Sequence, residues 1–263
     1  MKLPKTILPC PIVESTLEIR FQTNLPPDTM VGFVYSLFQS KDSEVQLTAL
    51  PISQIPAEIR RQDPNLKYKP THRLHTKEYD ALVGSNVVVL TIPGKYVGWN
   101  KFKSNITDFI QTIQSNIIGK IEYIGLRYLN FFAFDIFDRI KLNVGGDNFS
   151  RGFPSVFKSE YKKDYCTNVL QITNGVHLQN PQMNIDADGS LIDITVVLVN
   201  NHLTDVNFEN IVERIDSAHL EAKTVFFSLL SDDYLKVGSI NSIFYFLHKA
   251  AEPFNCLEQD NLA

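Results

Sequence analysis

The chain has 263 residues, with 25 basic and 29 acidic side chains, a formal charge of −4, 44 % apolar content and 11 % aromatic content. That composition supplies one large hydrophobic core or two smaller ones and argues against disorder. No apolar run exceeds five residues, far short of the roughly 20 that cross a bilayer, and the mild acidic balance disfavours a dedicated nucleic-acid binder, because such domains carry excess positive charge.

At the start, Lys2 and Lys5 stand among Pro4, Pro9 and Pro11 rather than before an apolar stretch, so no secretory signal is expected. Cys10, Cys166 and Cys256 are widely spaced, without a Cys-x-x-Cys pair. They read as reduced thiols of a cytoplasmic protein, and Cys166 reads as a small buried residue.

Val13–Phe21 alternates apolar and polar residues, the period of a half-buried strand. Pro26 and Pro27 break the chain. Met30, Phe33, Val34, Leu37 and Phe38 then recur at helical spacing, with Asp28 near the helix start. Val45–Leu50 predicts a strand, 51–70 a proline-rich loop, and Tyr68–Lys77, Asp80–Gly84 and Val87–Ile92 a meander that turns at Pro93-Gly94. Trp99, Phe102, Ile106, Phe109, Ile110, Ile113 and Ile117 mark an amphipathic helix, with Gly119 as the residue that ends it.

The second half restarts with a long strand, Glu122–Phe134, apolar on both sides and expected to be covered on both. A turn is expected at Gly145-Gly146-Asp147. Strands follow near Lys158–Tyr161, Cys166–Thr173, His177–Ile185 and Leu191–Val199, then a long helix at about 208–230 with the stripe Phe208, Ile211, Val212, Ile215, Ala218, Ala222, Val225, Phe226 and Leu229. Ile243, Phe244, Phe246 and Leu247 suggest a final apolar helix, stopped by Pro253. The expected architecture is α+β: two half-domains, 1–120 and 121–263, each a curved antiparallel sheet packed on a long helix.

Three motifs carry a family resemblance. They are Pro9-Cys10-Pro11-Ile12-Val13-Glu14 running to Ile19-Arg20-Phe21, Tyr96-Val97-Gly98-Trp99-Asn100-Lys101-Phe102, and Gly125-Leu126-Arg127-Tyr128-Leu129-Asn130. With His219 and Phe226 on the late helix, the chain resembles an uncharacterised, sporadically distributed bacterial family of similar length. That resemblance implies an accessory or defence-type gene, such as one half of a toxin–antitoxin or immunity pair. It brings no activity and no cofactor.

Arg127 lies within an apolar strand, so it needs a carboxylate; Glu14, Glu18 and Glu122 are the candidates, with an anion or substrate clamp as the functional alternative. Trp99 is expected to cap the core at a strand-to-helix junction, or to border a small-ligand pocket together with Arg127. His72 and His75, three apart in a strand, face opposite sides and do not form a metal pair. Residues 60–77 hold Arg60, Arg61, Lys67, Lys69, Arg73 and Lys77 against Asp63, a net +5, which reads as a solvated edge or a surface for RNA or an acidic partner. Asn184, Asp186, Asp188 and Gly189 mimic the start of a calcium loop, but Thr195 fills the twelfth position, where a Glu is needed; a hairpin turn at Asp188-Gly189 accounts for them better.

Arg214 and His219 fit Arg-x-x-x-x-His, a spacing that resembles the catalytic pair of one class of helical ribonucleases. A core histidine bonded to the backbone or to a buried Asp such as Asp193 is the preferred reading. Phosphate loops, dinucleotide turns and nucleophile elbows are absent. The expected function is therefore a non-enzymatic cytoplasmic interaction protein with a protein partner, such as a neighbouring-gene product, and compatible with a homodimer through the apolar tail. An RNA-directed role and a small-ligand sensor are the alternatives. No metal, cofactor or membrane association is expected.

Overall fold

The period of two in the first strand decides which side of the sheet becomes the core. The computed structural model describes residues 7–26, 29–113, 119–142, 154–163, 165–199, 203, 206 and 210–236. Asp28, Pro27, Ile117, the 145–147 turn, Phe208, Cys256 and the tail from Ile243 to Pro253 lie outside them.

The elements in chain order are β1 (Ile12–Phe21), α1 (Thr29–Lys41), β2 (Gln46–Ala49), α2 (Ala57–Gln62), β3 (His72–His75), β4 (Asp80–Val83), β5 (Val87–Pro93), α3 (Trp99–Ile113), β6 (Ile121–Phe132), β7 (Val156–Lys163), β8 (Cys166–Asn180), β9 (Ile185–Val199) and α4 (Ile211–Leu229). The fold is α+β. All nine strands join one sheet in the order β2-β3-β4-β5-β1-β6-β9-β8-β7, and every pairing is antiparallel. At its centre β1 pairs with β6 from Ile12↔Asn130 to Phe21↔Ile121. The strands on either side of residue 120 therefore share one sheet instead of building two.

Val13, Ser15, Leu17, Ile19 and Phe21 of β1, Ile124, Leu126 and Tyr128 of β6, and Ile192, Ile194, Val196 and Leu198 of β9 are buried on one face. Helices α1, α3 and α4 cover that face. Trp99, Phe102, Ile106, Phe109, Ile110 and Ile113 of α3 and Ile211, Ile215, Ala218, Ala222 and Val225 of α4 complete a single core cluster. Phe38 of α1, Tyr79 and Phe109 of α3 meet ring to ring. The Tyr79 hydroxyl donates to Asp108 Oδ2 at 2.9 Å, and burial together with that carboxylate raises its pKa strongly.

Three local expectations change. The 51–70 stretch contains a 3-10 turn at Pro51–Gln54 and the short helix α2, because proline is tolerated at a first helical position. The hairpin joining β8 to β9 turns at 181–184, where Asn180 Oδ1 accepts from the Met183 amide and Asn184 adopts φ 54°. Asp188 and Gly189 instead lie inside β9, opposite His177 and Val176. Gly189 is there for close approach: a Cβ would sit 2.0 Å from the Phe132 carbonyl oxygen. Gly119 has the same kind of reason, since its Cβ would meet the Gln22 carbonyl oxygen at 2.9 Å, and its own amide donates to that oxygen at 2.8 Å. Strand β6 is not covered on both sides along its length. Tyr123, Arg127 and Leu129 are half-exposed on the face away from the helices, a one-sided arrangement that antiparallel sheets permit.

Candidate functional sites on the two faces of the sheet

On the helical face, the 94–98 segment delivers Trp99 to the start of α3 through Gly98, whose φ of +85° favours a residue without a Cβ. The indole stacks on the His219 imidazole of α4, with ring centroids 3.8 Å apart and planes 5° apart. Trp99 Nε1 donates to Asp216 Oδ1 at 3.1 Å, and Lys103 pairs with the other oxygen of the same carboxylate. Trp99 and Lys103 are four apart on α3 and Asp216 and His219 three apart on α4, so each pair shares a helix face and the two helices interlock. The His219 Nδ1 lies 2.9 Å from the Tyr128 hydroxyl of β6. Burial, reinforced by Lys223, lowers the His219 pKa to about 3. The imidazole is therefore neutral at physiological pH, ill matched to acid–base work, which favours a pKa near the operating pH.

A cavity of about 100 Å³ opens beside this cluster, between the segment leading into β1, strands β6 and β9, and helix α4. Its walls include Ile12, Tyr128, Asn130, Ile194, His219 and Phe226. Asn130 is 2 % exposed. Its amide nitrogen donates to the carbonyls of Ile192 at 3.1 Å and Tyr128 at 3.4 Å.

The opposite face belongs to Arg127. Its guanidinium donates to both oxygens of Asp193, through Nε at 2.9 and 3.1 Å and through an Nη at 2.8 Å, and to Glu14 Oε1 at 2.8 Å. Of the three carboxylates weighed from sequence, Glu14 is a partner. Glu18 pairs with Arg20, and Glu122 accepts from Gln22 and Tyr68. The Asp193 bonds first, then the charges of Asp193 and Glu14, raise the Arg127 pKa. Two carboxylates on one guanidinium leave the cluster net negative, which suits a structural ion pair and opposes an anion clamp. Beside it, Arg20 lies 4.1 Å from the Tyr123 ring centroid and 4.8 Å from that of Tyr68. The Tyr123 hydroxyl is pushed up to about 12, chiefly by burial.

Arg127 and Trp99 thus lie on opposite faces of the sheet and do not line one pocket. Arg214 and His219 are likewise not brought together. Five residues on a helix separate side chains by about 140°, and Arg214 is exposed while His219 faces Tyr128. Asp193 is not the histidine's partner, because it faces Arg127.

In the basic segment, Arg60 is buried and donates from Nε to the Ile55 carbonyl at 2.9 Å. Arg61 pairs with Glu58 at 3.1 Å, Arg73 with Asp80 at 3.7 Å and Lys77 with Glu44 at 2.9 Å. Lys67 lies 4.8 Å from the Tyr68 ring centroid, and both Lys67 and Lys69 are exposed. Three of the six cations are thus met by carboxylates outside the segment, and Arg60 by a backbone carbonyl. His72 Nδ1 contacts Thr71 at 3.0 Å, and burial, then the charge of Arg60, lowers its pKa. His75 contacts Asp80. Asp186 and Asp188 bracket His177 at 3.0 and 2.8 Å.

Glu221 escapes sequence reasoning. It is 4 % exposed, accepts from Asn168 Nδ2 and Lys163 Nζ at 2.8 Å each, and fastens α4 to β7 and β8. The signal available was its position three residues after Ala218 and four before Val225, inside the apolar stripe. Burial, followed by the Glu221 charge, raises the neighbouring Cys166 thiol to about 11, which keeps it protonated and unreactive. Among the described residues no group of three or more His, Cys, Asp or Glu side chains is placed to hold a metal, and no helix is long and apolar enough to cross a membrane. Neither a search against protein-family models nor a search of curated proteins finds a match for this chain.

Proposed function

We propose that this chain is a non-enzymatic, cytoplasmic interaction protein that docks a protein partner on the open face of its sheet, as an antitoxin- or immunity-like member of a bacterial gene pair. The observation that carries this reading is the one-sided sheet. Helices α1, α3 and α4 occupy one face, while on the other Glu14, Thr16, Glu18 and Arg20 of β1, Tyr123, Arg127 and Leu129 of β6, and Asp193, Thr195 and Val197 of β9 stay half-exposed. This strip sets tyrosine and arginine, residue types that interfaces concentrate, beside aliphatic side chains; Arg20 pairs with Glu18, and Glu14 and Asp193 both contact Arg127, leaving that cluster net negative.

The two-half reading belongs to the same proposal. In residues 1–120 the central strand β1, helix α1, a meander interrupted by α2, and then α3 follow one another; among the described residues of 121–263, β6, β7 to β9 and α4 follow in a similar order without a counterpart of α1 or α2. The RNA-directed alternative draws less support, because Arg60, Arg61, Arg73 and Lys77 are held by protein groups. The test is co-expression with the product of the adjacent gene. Stable co-purification of the two chains in equal amounts is the expected result, and separation of two independently folded proteins contradicts it.

A further inference from the structure

The cavity on the helical face has a built polar end. Asn130 spends both amide hydrogens on the carbonyls of Ile192 and Tyr128, which fixes the orientation of its side chain. Its Oδ1 accepts no hydrogen bond from a described residue, yet it is not one of the fully sealed unpartnered atoms, so it stays reachable from the cavity that the residue lines. His219, neutral and held on one side by Tyr128, stands at the same wall. The remaining walls are largely apolar, with Ile7, Ile12, Ile194, Ala222, Phe226 and Phe227 among them. Among the described residues no Asp or Glu lines the cavity, and Lys223 does.

We propose that this cavity binds a small uncharged molecule, mainly apolar and carrying one hydroxyl that donates to Asn130 Oδ1. Size follows from volume: about 100 Å³ is somewhat below the roughly 150 Å³ of an engineered apolar cavity that takes benzene, so a group of about phenol size matches the space within the walls. Charge follows from the walls. An anion placed at the Asn130 end would face its carbonyl oxygen, and a cation would meet Lys223 with no carboxylate among the described lining residues to pair with. The donor requirement follows from Asn130, because an apolar ligand filling the space would seal off an acceptor that could no longer reach water. This inference concerns the face opposite the docking strip and stands or falls independently of it.

Trp99, the sequence's single tryptophan, reports on the site through its stack on His219. Full-length protein is titrated with phenol, benzene and benzoate, following tryptophan emission and melting temperature. Phenol is expected to change the emission saturably and to raise the melting temperature, with benzene and benzoate binding at least tenfold more weakly. Ala222→Phe fills the space and is expected to abolish the response; Ala222→Leu serves if the larger side chain prevents folding. Asn130→Leu is expected to remove the preference for phenol over benzene. Absence of any saturable response means that the cavity holds solvent only and overturns the proposal. So does a response that persists in the filled variant, or benzoate binding more tightly than phenol.

Discussion

The Trp99 indole and the His219 imidazole lie face to face, 3.8 Å between centroids, and this stack joins the start of α3 to the middle of α4 directly above Tyr128. Because the imidazole is buried and neutral, with a pKa near 3, it binds no proton in the folded chain where the unfolded chain does. Its contribution to stability is therefore complete above the ordinary histidine value of about 6.5 and lost as pH falls from there toward 3. Between pH 7 and pH 5 this single group should remove about 2 kcal/mol. Urea midpoints of wild type and His219→Phe, which keeps a ring on Trp99, measure it. The wild type loses more stability over that interval than the variant; parallel pH profiles would show that His219 is protonated in the fold.

Arg127→Met leaves Glu14 and Asp193 facing each other without the cation that both contact at 2.8 Å. The site is more than a third exposed on the arginine side, so solvent moderates the loss, and a cost of about 1–2 kcal/mol is expected rather than the larger values of fully buried pairs. Adding Glu14→Gln and Asp193→Asn to the same chain should recover part of it. Denaturant titration of the single and triple variants decides between a structural pair, which shows this recovery, and a residue whose loss leaves folding untouched.

Glu221→Leu removes the acceptor shared by Asn168 and Lys163. Asn168 is fully buried and its Oδ1 is already without a partner, so the variant strands a polar amide in the core. A loss of about 1–3 kcal/mol is expected. Glu221→Gln keeps an oxygen for Asn168 and should lose less, because Lys163 remains in contact with solvent. Equal losses in the two variants would mean that the carboxylate charge, and not the bond to Asn168, fastens the helix.

Gly189→Ala places a methyl 2.0 Å from the Phe132 carbonyl oxygen, one residue past the Phe132↔Ser190 pair that ends the β6–β9 ladder. Backbone must move to admit it, so a strongly destabilised chain is expected, with a drop in melting temperature well beyond that of Gly32→Ala on α1, where nothing lies within 4 Å. Circular dichroism melts of the two variants make the comparison.

Strand and helix periodicity made most elements legible. The alternation of Val13–Phe21 and the three-and-four spacing from Trp99 to Ile113 each carry their own period, and the sheet's antiparallel character followed from the meander of short strands. What periodicity does not encode is which strands meet across the middle. The β1–β6 pairing is set by burial of two distant strands against each other, so the chain order suggests a division near residue 120 but does not reveal that one sheet continues across it. Glycine at 189 looked like turn chemistry because a close backbone approach leaves the same residue in the sequence. Site residues divided in the same way. The need of Arg127 for a carboxylate was readable from its apolar strand, and Glu14 sits on the polar face of β1 as its alternation requires. Asp193 was not found as a partner because nothing local ties β9 to β6. The opposite placement of Trp99 and Arg127 is likewise a matter of strand parity relative to Tyr128, which needs the fold before it can be counted.

The central claim, a docking surface on the face away from α1, α3 and α4, is tested most directly by calorimetric titration of the adjacent gene's product into wild type, Thr195→Arg and Leu220→Glu. Thr195 is half-exposed beside Arg127 on the open face, whereas Leu220 is 59 % exposed on α4. The account predicts that wild type and Leu220→Glu bind alike and that Thr195→Arg weakens binding at least tenfold while remaining folded. Undiminished binding by Thr195→Arg, with loss confined to Leu220→Glu, would contradict it.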